Sequence, residues 1–188
     1  MISEIGICNL WLPFFLGYAM IWYYMIIVDK KRGSKIEDEE LHKSENRISL
    51  FVKGFLPTLV LLIVSIFTPI SFGYLFVPGS VLYLTGITIV ILALRSFMKT
   101  DSGLNTKSIY RFTRNPMYVG GFGFIAGINL MGDFESHSFW LFLVLTLIWS
   151  ATVHFHVLQE EEFLKKKYKD EYINFCLKVP RYLGVIKK

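Results

Sequence analysis

The chain is short of charge, of cysteine and of any spacing that would hold a metal. Only 19% of its 188 residues are charged, and there are two cysteines. Cys8 lies in an apolar run and Cys176 in a charged tail, so a disulfide between them is not expected. No clustered ligand spacing suggests a structural zinc site. A glycine-rich phosphate loop following a strand is also missing, which removes the soluble nucleotide-binding folds from consideration. Three stretches carry no lysine or arginine: the residues before Asp29, residues 68–78 and residues 132–138. The net charge of +5 does not point to nucleic acid, because the basic residues sit in the gaps between apolar runs.

Hydrocarbon is what the chain has in quantity. Hydrophobic residues make up 53% and phenylalanine alone fills 17 positions, far from the composition of a soluble domain this long. The apolar residues form blocks approaching the ~20 residues that cross a bilayer. The expected fold is all-α: a polytopic membrane helical bundle of five transmembrane helices, forming a single domain over residues 1–188. The spans are expected at Ile5–Val28, Leu50–Phe67, Gly79–Leu94, Met117–Met131 and Phe139–Leu158, followed by an amphipathic tail. The first run is too long, and too poorly preceded by basic residues, for a cleaved signal peptide. Trp11, Trp22, Tyr23 and Tyr24 suit an interfacial belt, and Pro57 predicts a kink in the second span. Between the first two spans, Glu37-Asp38-Glu39-Glu40 reads as a solvated helix or a loose turn. Thr68–Pro78 reads as an uncharged link and Gly132–Ser138 as a tight turn.

Charge gives the orientation. The segment 29–53 holds seven lysines and arginines, the connection 95–114 holds five and the tail from 159 holds eight, which accounts for all twenty. An N-terminus outside and a C-terminus in the cytoplasm satisfy the positive-inside rule. The same topology places two polar clusters in one compartment. One is Tyr110-Arg111-Phe112-Thr113-Arg114-Asn115-Pro116-Met117-Tyr118; the other is Glu160-Glu161-Glu162 at the end of the last apolar run. Pro116 suits the first turn of a helix, with Asn115 able to cap it. Gly120, Gly121, Gly123 and Gly127 follow. Gly123 and Gly127 form a small-xxx-small face that either packs a neighbouring helix or leaves room for a cofactor.

Arg114-Asn115-Pro116-Met117-Tyr118 followed by Gly120 resembles the Arg-His/Asn-Pro-x-Tyr signature of the isoprenylcysteine carboxyl methyltransferases and their phospholipid methyltransferase relatives. Glu160-Glu161-x-x-Leu164, with Tyr168, Asp170-Glu171-Tyr172 and Val179-Pro180-Arg181, is similar to that family's C-terminal pattern. The resemblance covers roughly Leu92 to Arg181. It implies S-adenosylmethionine as methyl donor, held between the last two spans and their cytosolic flanks, and an amphiphilic acceptor drawn from the lipid bilayer. Position by position it implies a cofactor site of Asn115, Pro116, Met117, Tyr118, Tyr110 and Glu160. Leu104 and Asn105 complete that implied cofactor site on its adenine side; with Ser102, Gly103 and Ser108 they stand where family members carry a longer connection with a His-x-Leu-Val run. Arg114 pairs either with the donor's carboxylate or with an acidic neighbour such as Glu161, or else snorkels at the interface. Tyr110 and Tyr118 could equally be belt residues.

Where prenylcysteine enzymes place an arginine one turn before the glutamate pair, this chain has His156. An imidazole can take a proton from an amine or hydroxyl nucleophile but does not replace a permanent bidentate cation. His156 and Arg114 are therefore the candidate catalytic residues, and a prenylcysteine acceptor is disfavoured. The alternative for His156 is an interfacial histidine bonded to a backbone carbonyl, and His154 reads as structural on another face. Two other readings stand beside methyl transfer. Sterol-type NADPH reductases look similar around Asn-Pro-x-Tyr and in the Tyr-x(3)-Tyr and Val-Pro-Arg tail, and a non-catalytic scaffold would use only the glycine face. Nothing in the spacing specifies an oligomeric state.

Overall fold

A computed structural model describes the backbone of residues 8–32, 47–99 and 103–183, and the side chains of that set outside 28–55. The acidic run Glu37–Glu40 and Ser102 lie outside the described residues. The described residues form five α-helices in order: α1 Trp11–Arg32, α2 Arg47–Ile66, α3 Phe76–Met98, α4 Pro116–Met131 and α5 His137–Lys178, with one 3-10 turn at Ser108–Arg111 before α4. Among the described residues the only extended pairing is two isolated bridges, Asn9 with Pro69 and Ile70 with Gly132.

The all-helical expectation holds, but the helices outrun the apolar blocks. Backbone hydrogen bonding in a helix does not stop where hydrocarbon stops. Thus α1 continues through Asp29–Arg32, α2 runs through Pro57, and α3 begins inside the segment expected to be a link. The last helix extends 20 residues beyond the expected end of its span, to Lys178. Lys169 breaks it, with a φ of 44° and a ψ of −120°, so its final turns set off in a new direction. Among the described residues two helices, α3 and α5, are long and apolar enough to cross a membrane. The apolar parts of α1 (Trp11–Ile27), α2 (Leu56–Ile66) and α4 are shorter. Sixteen residues of α4 reach only about 24 Å at 1.5 Å per residue, against a hydrocarbon core of about 30 Å.

Glycine decides how α3 and α4 pack. A Cβ on Gly86 would stand 2.3 Å from the Phe124 nitrogen and 2.6 Å from the Gly120 oxygen; one on Gly127 would stand 2.4 Å from the Tyr83 nitrogen. The two backbones therefore touch along their length, with Gly79 facing Gly127 at one end and Gly120 against Val90 at the other. Of the two expectations for the glycine face, close packing is the one realised, and Gly120 and Gly127 carry it more than Gly123. Phe14, Leu61, Phe124, Ile128 and Phe142 fill the core around this seam.

At the end of the bundle far from Arg114 the chain is sewn by backbone bonds. Leu10 N–H donates to the Thr68 oxygen at 2.9 Å, Ile70 to Cys8 at 2.8 Å, Ser71 to Met131 at 2.9 Å and Asp133 to Pro69 at 3.0 Å. The Asn9 amide adds a bond to the Ile66 carbonyl at 2.6 Å. The connection 68–75 is thus an ordered seam against the α4–α5 turn, rather than a loose link. The opposite end is held by side chains.

Candidate active site

Residues 113–118 and 154–161 meet, as the two polar clusters predicted. Pro116 opens α4 at its first position, where its missing N–H costs nothing. Asn115 stands at the N-cap but makes no side-chain cap, which corrects the sequence expectation. Its amide donates instead to Glu161 Oε1 at 2.9 Å and to the Arg181 carbonyl at 3.2 Å. A buried carboxylate is a stronger acceptor than water and holds the amide that would otherwise turn back onto its own helix.

The adjacent residues Glu160 and Glu161 face different partners. Glu161 is 7% exposed and is ringed by cations: Arg181 donates through Nε at 3.0 Å and Nη2 at 2.9 Å to Oε2, and Arg114 Nη2 lies 3.7 Å from Oε1. Arg114 is therefore buried against an acid, not snorkelling; its side chain is 12% exposed and its Nε has no hydrogen-bond partner. Among the described residues Glu160 has no cation near it, and its Oε2 accepts only from the Tyr118 hydroxyl, at 2.9 Å. Burial, reinforced by the neighbouring Glu161 charge and opposed by the Tyr118 bond, lifts the Glu160 carboxyl above its ordinary range. A half-buried acid is thus presented between α4 and α5 without a counter-charge.

The chain beyond the kink closes over this junction. Tyr172, Phe175 and Val179 pack with Tyr110, Leu104 and Ile109 into a small separate core. The strap that follows is tied to the loop before α4: Arg114 N–H donates to the Pro180 oxygen at 3.0 Å, and the Thr113 hydroxyl to the Arg181 oxygen at 3.0 Å. Tyr182 enters between the two helices, edge-on to Phe122 of α4 at 5.6 Å and bonded to His154 Nδ1 of α5 at 2.8 Å. Burial raises the Tyr182 phenol above its usual value, and burial with the Glu161 charge does the same for Tyr172. A cleft of about 200 Å³ opens beside Glu161, lined by Arg114, Leu158, Glu162, Lys165, Cys176 and Arg181.

Several expected site residues lie elsewhere. Met117 packs against the Val90–Leu94 cluster with Phe97 and Met98, and Pro116 is fully buried. Asn105 donates to the Ser96 hydroxyl at 3.3 Å and accepts from the Lys107 N–H. Leu104 and Tyr110 join the tail core. His156 is exposed and makes no hydrogen bond among the described residues. His154, expected on an unrelated face, is the histidine in contact with the strap. Seven residues separate it from Glu161, close to two helical turns, so both look the same way. That spacing was available in the sequence. Arg181 stood in the Val179-Pro180-Arg181 motif; Tyr182 and Lys165 were not singled out, and Tyr182 had only its place beside that motif as a signal.

A family model described as phospholipid methyltransferase matches residues 70–171, more than half of the chain. The chain belongs to that family. The phospholipid methyltransferase match starts ahead of Leu92, taking in the whole of α3, and stops before the Val179-Pro180-Arg181 strap. Membership, together with the apolar helices, identifies a membrane methyltransferase. Neither a curated protein nor a solved structure gave a significant match.

Proposed function

We propose that this phospholipid methyltransferase family member moves a methyl group from S-adenosylmethionine to an amphiphilic acceptor at the cytosolic face of the membrane. The observation carrying this reading is Glu160: a half-buried carboxylate held by one phenol and facing no cation among the described residues. Leaving such a charge unpaired is costly, and a cationic ligand removes the cost. The donor supplies an electrophilic methyl on a sulfonium and an ammonium besides, so its charge fits Glu160, while its carboxylate fits an arginine such as Arg114.

The chain's own residues then have distinct tasks. Glu160 and Tyr118 fix the position of the cation between α4 and α5. Glu161, clamped by Asn115 and Arg181, fixes the ends of those helices relative to each other. Tyr182 and the tail core exclude water from above, which strengthens every charge interaction beneath them. Methyl transfer is an in-line displacement, so alignment and dryness are most of what a protein must supply. His156, one turn before Glu160, accepts the acceptor's proton where the nucleophile is an amine or hydroxyl. The α3–α4 pair and α5 anchor the bundle in the bilayer. With the shorter helices α1, α2 and α4 also crossing, the basic residues all fall on the cytosolic side and the turn at 132–136 on the other.

Calorimetric titration of the purified protein with S-adenosylmethionine and, separately, with NADPH tests the cofactor. Saturable binding of the first and none of the second is expected; the reverse would overturn the reading. Transfer of labelled methyl into a membrane lipid extract, run beside a farnesylcysteine analogue, tests the acceptor. Label is expected in the extract.

A further inference from the structure

The helix beyond the kink at Lys169 presents three faces. Tyr172 and Phe175, with Cys176 half-buried beside them, turn into the tail core. Glu171, Asn174 and Lys178 follow at helical spacing and are polar and exposed. Ile173 and Leu177, four residues apart on a third stripe, are apolar and yet exposed, Leu177 by 67%. Two more large apolar side chains near the strap are bare: Phe112, 64% exposed beside Thr113, and Leu183, 84% exposed beside Tyr182. Tyr182 fixes their depth. Its partner Phe122 lies six residues into α4 and its partner His154 six residues before Glu160, about 9 Å along each helix. The strap therefore dips back to the level where Phe155 of α5 faces outward. Charge around it is one-sided. Residues 103–112 hold Lys107 and Arg111 and no acid, and residues 163–183 hold six basic residues against Asp170 and Glu171. Lys107, Arg111, Lys169 and Lys178 are exposed and make no ion pair among the described residues.

We infer that the tail helix, the strap and the loop before α4 form a docking surface for an anionic lipid leaflet. Phe112, Leu177 and Leu183 insert beside the α4–α5 junction, and the basic rim meets acidic headgroups. Continuity decides for lipid over a soluble partner. Leu183 follows a ring wedged between two helices of a membrane bundle, so the apolar exterior of α5 runs unbroken into the strap. A short helix with an apolar stripe and cationic flanks lies in the headgroup layer, where apolar burial and attraction to anionic lipid act together. The surface requires only that α4 and α5 cross a bilayer, and it stands whether or not the chemistry is methyl transfer. Because the same strap carries Arg181 and Tyr182, leaflet charge biases how firmly the tail closes over the helices.

The test uses the full chain in nanodiscs of phosphatidylcholine, alone or with about a third of anionic phosphatidylglycerol. Spin labels are placed singly at Leu177→Cys, Leu183→Cys and Asn174→Cys in a Cys8→Ser, Cys176→Ser background. Collision with oxygen, which concentrates in hydrocarbon, is compared with collision with a water-soluble nickel chelate. Labels at 177 and 183 are expected to favour oxygen and the label at 174 nickel, with a larger contrast when phosphatidylglycerol is present. Nickel access at 177 and 183 equal to that at 174, in both lipids, overturns the docking. Protection of 177 and 183 from both reagents overturns it in favour of a protein neighbour. Identical depth in the two lipids overturns the preference for anionic headgroups. A second measurement needs no cysteine change. Chymotrypsin cleavage after the exposed Phe112 of the native chain should slow about fivefold or more on adding phosphatidylglycerol, with much of the difference lost at high salt or in Arg111→Gln. Cleavage at the same rate in both lipids overturns the anionic surface even if the cysteine-free background folds poorly.

Discussion

The two sides of α4 are joined to their neighbours in opposite ways. Toward α3 there is no space at all: glycine lies on glycine and backbone meets backbone over most of the helix. Toward α5 the contacts are few and polar, namely Asn129 with Thr146 at 3.1 Å near one end, and Asn115 and Tyr118 with the two glutamates at the other. A seam without side chains has only one arrangement, because interiors this dense cannot slide without clashing. A junction built from a few directed bonds can rearrange to admit a ligand. The rigid side positions α4, and the adjustable side binds.

The sharpest way to break that contrast is to put a side chain on each face. Gly127→Leu, whose first carbon already falls 2.4 Å from backbone, should abolish folding or cost well over the 1–3 kcal/mol of ordinary overpacking. Gly121, where a Cβ meets nothing within 4 Å, should accept alanine with a gain of about 0.5–1 kcal/mol from helix propensity. Expression yield and melting temperature in detergent compare the two. Equal effects would mean that α4 is not fixed from one side.

Next in size is the polar clamp. Glu161→Gln leaves Arg114 and Arg181 facing a neutral amide, and breaking a buried ion pair costs about 3–5 kcal/mol, less here because Arg181 is 38% exposed. The expected loss is about 2–3 kcal/mol, with greater protease sensitivity of the segment after Lys169. A variant as stable as wild type would show that the strap is held by its apolar residues alone.

Glu160 should behave in the opposite sense. Its carboxyl is raised by burial, so the folded protein favours the protonated form. That preference contributes fully below the ordinary carboxylate range and is lost as the pH climbs through the raised value. Glu160→Gln keeps an acceptor for Tyr118 and removes the charge. It should therefore melt slightly higher than wild type near neutral pH, with a flatter pH dependence above the ordinary carboxylate range, while binding S-adenosylmethionine at least about tenfold more weakly. Thermal melts across pH and a titration of the variant read both effects. Loss of stability without loss of affinity would make Glu160 a strut.

The smallest effect belongs to the strap tip. Tyr182→Phe removes the hydroxyl bonded to His154 and keeps the ring against Phe122, for an expected cost of about 1 kcal/mol. An unchanged melting temperature would show that the ring alone closes the gap.

The same contrast separates what was legible in the sequence from what was not. Helix type follows from long apolar blocks, and the meeting of Arg114–Tyr118 with Glu160–Glu161 follows from counting lysines and arginines between them. The pairing of Arg114 with Glu161 was among the stated options because both stand at the ends of apolar runs. Residues 104 and 105 were assigned to the pocket by resemblance across a connection of different length, and motif position does not fix a side chain's direction. His156 was preferred over His154 because it occupies the place of a family arginine. The helical angle to Glu161, together with a partner 28 residues onward at Tyr182, reverses their roles in contact with the strap. No local pattern announces that Lys169 takes a positive φ, and the whole placement of Arg181 and Tyr182 depends on that turn.

One practical matter follows from the bonds between Thr113, Arg114 and the Pro180–Arg181 carbonyls. Pro180 and Arg181 are tied back to the loop that leads into the helix at Pro116, so bulk inserted directly after Leu183 pulls on the binding junction itself. A fusion or insertion placed at that point reports on the junction as much as on the enzyme.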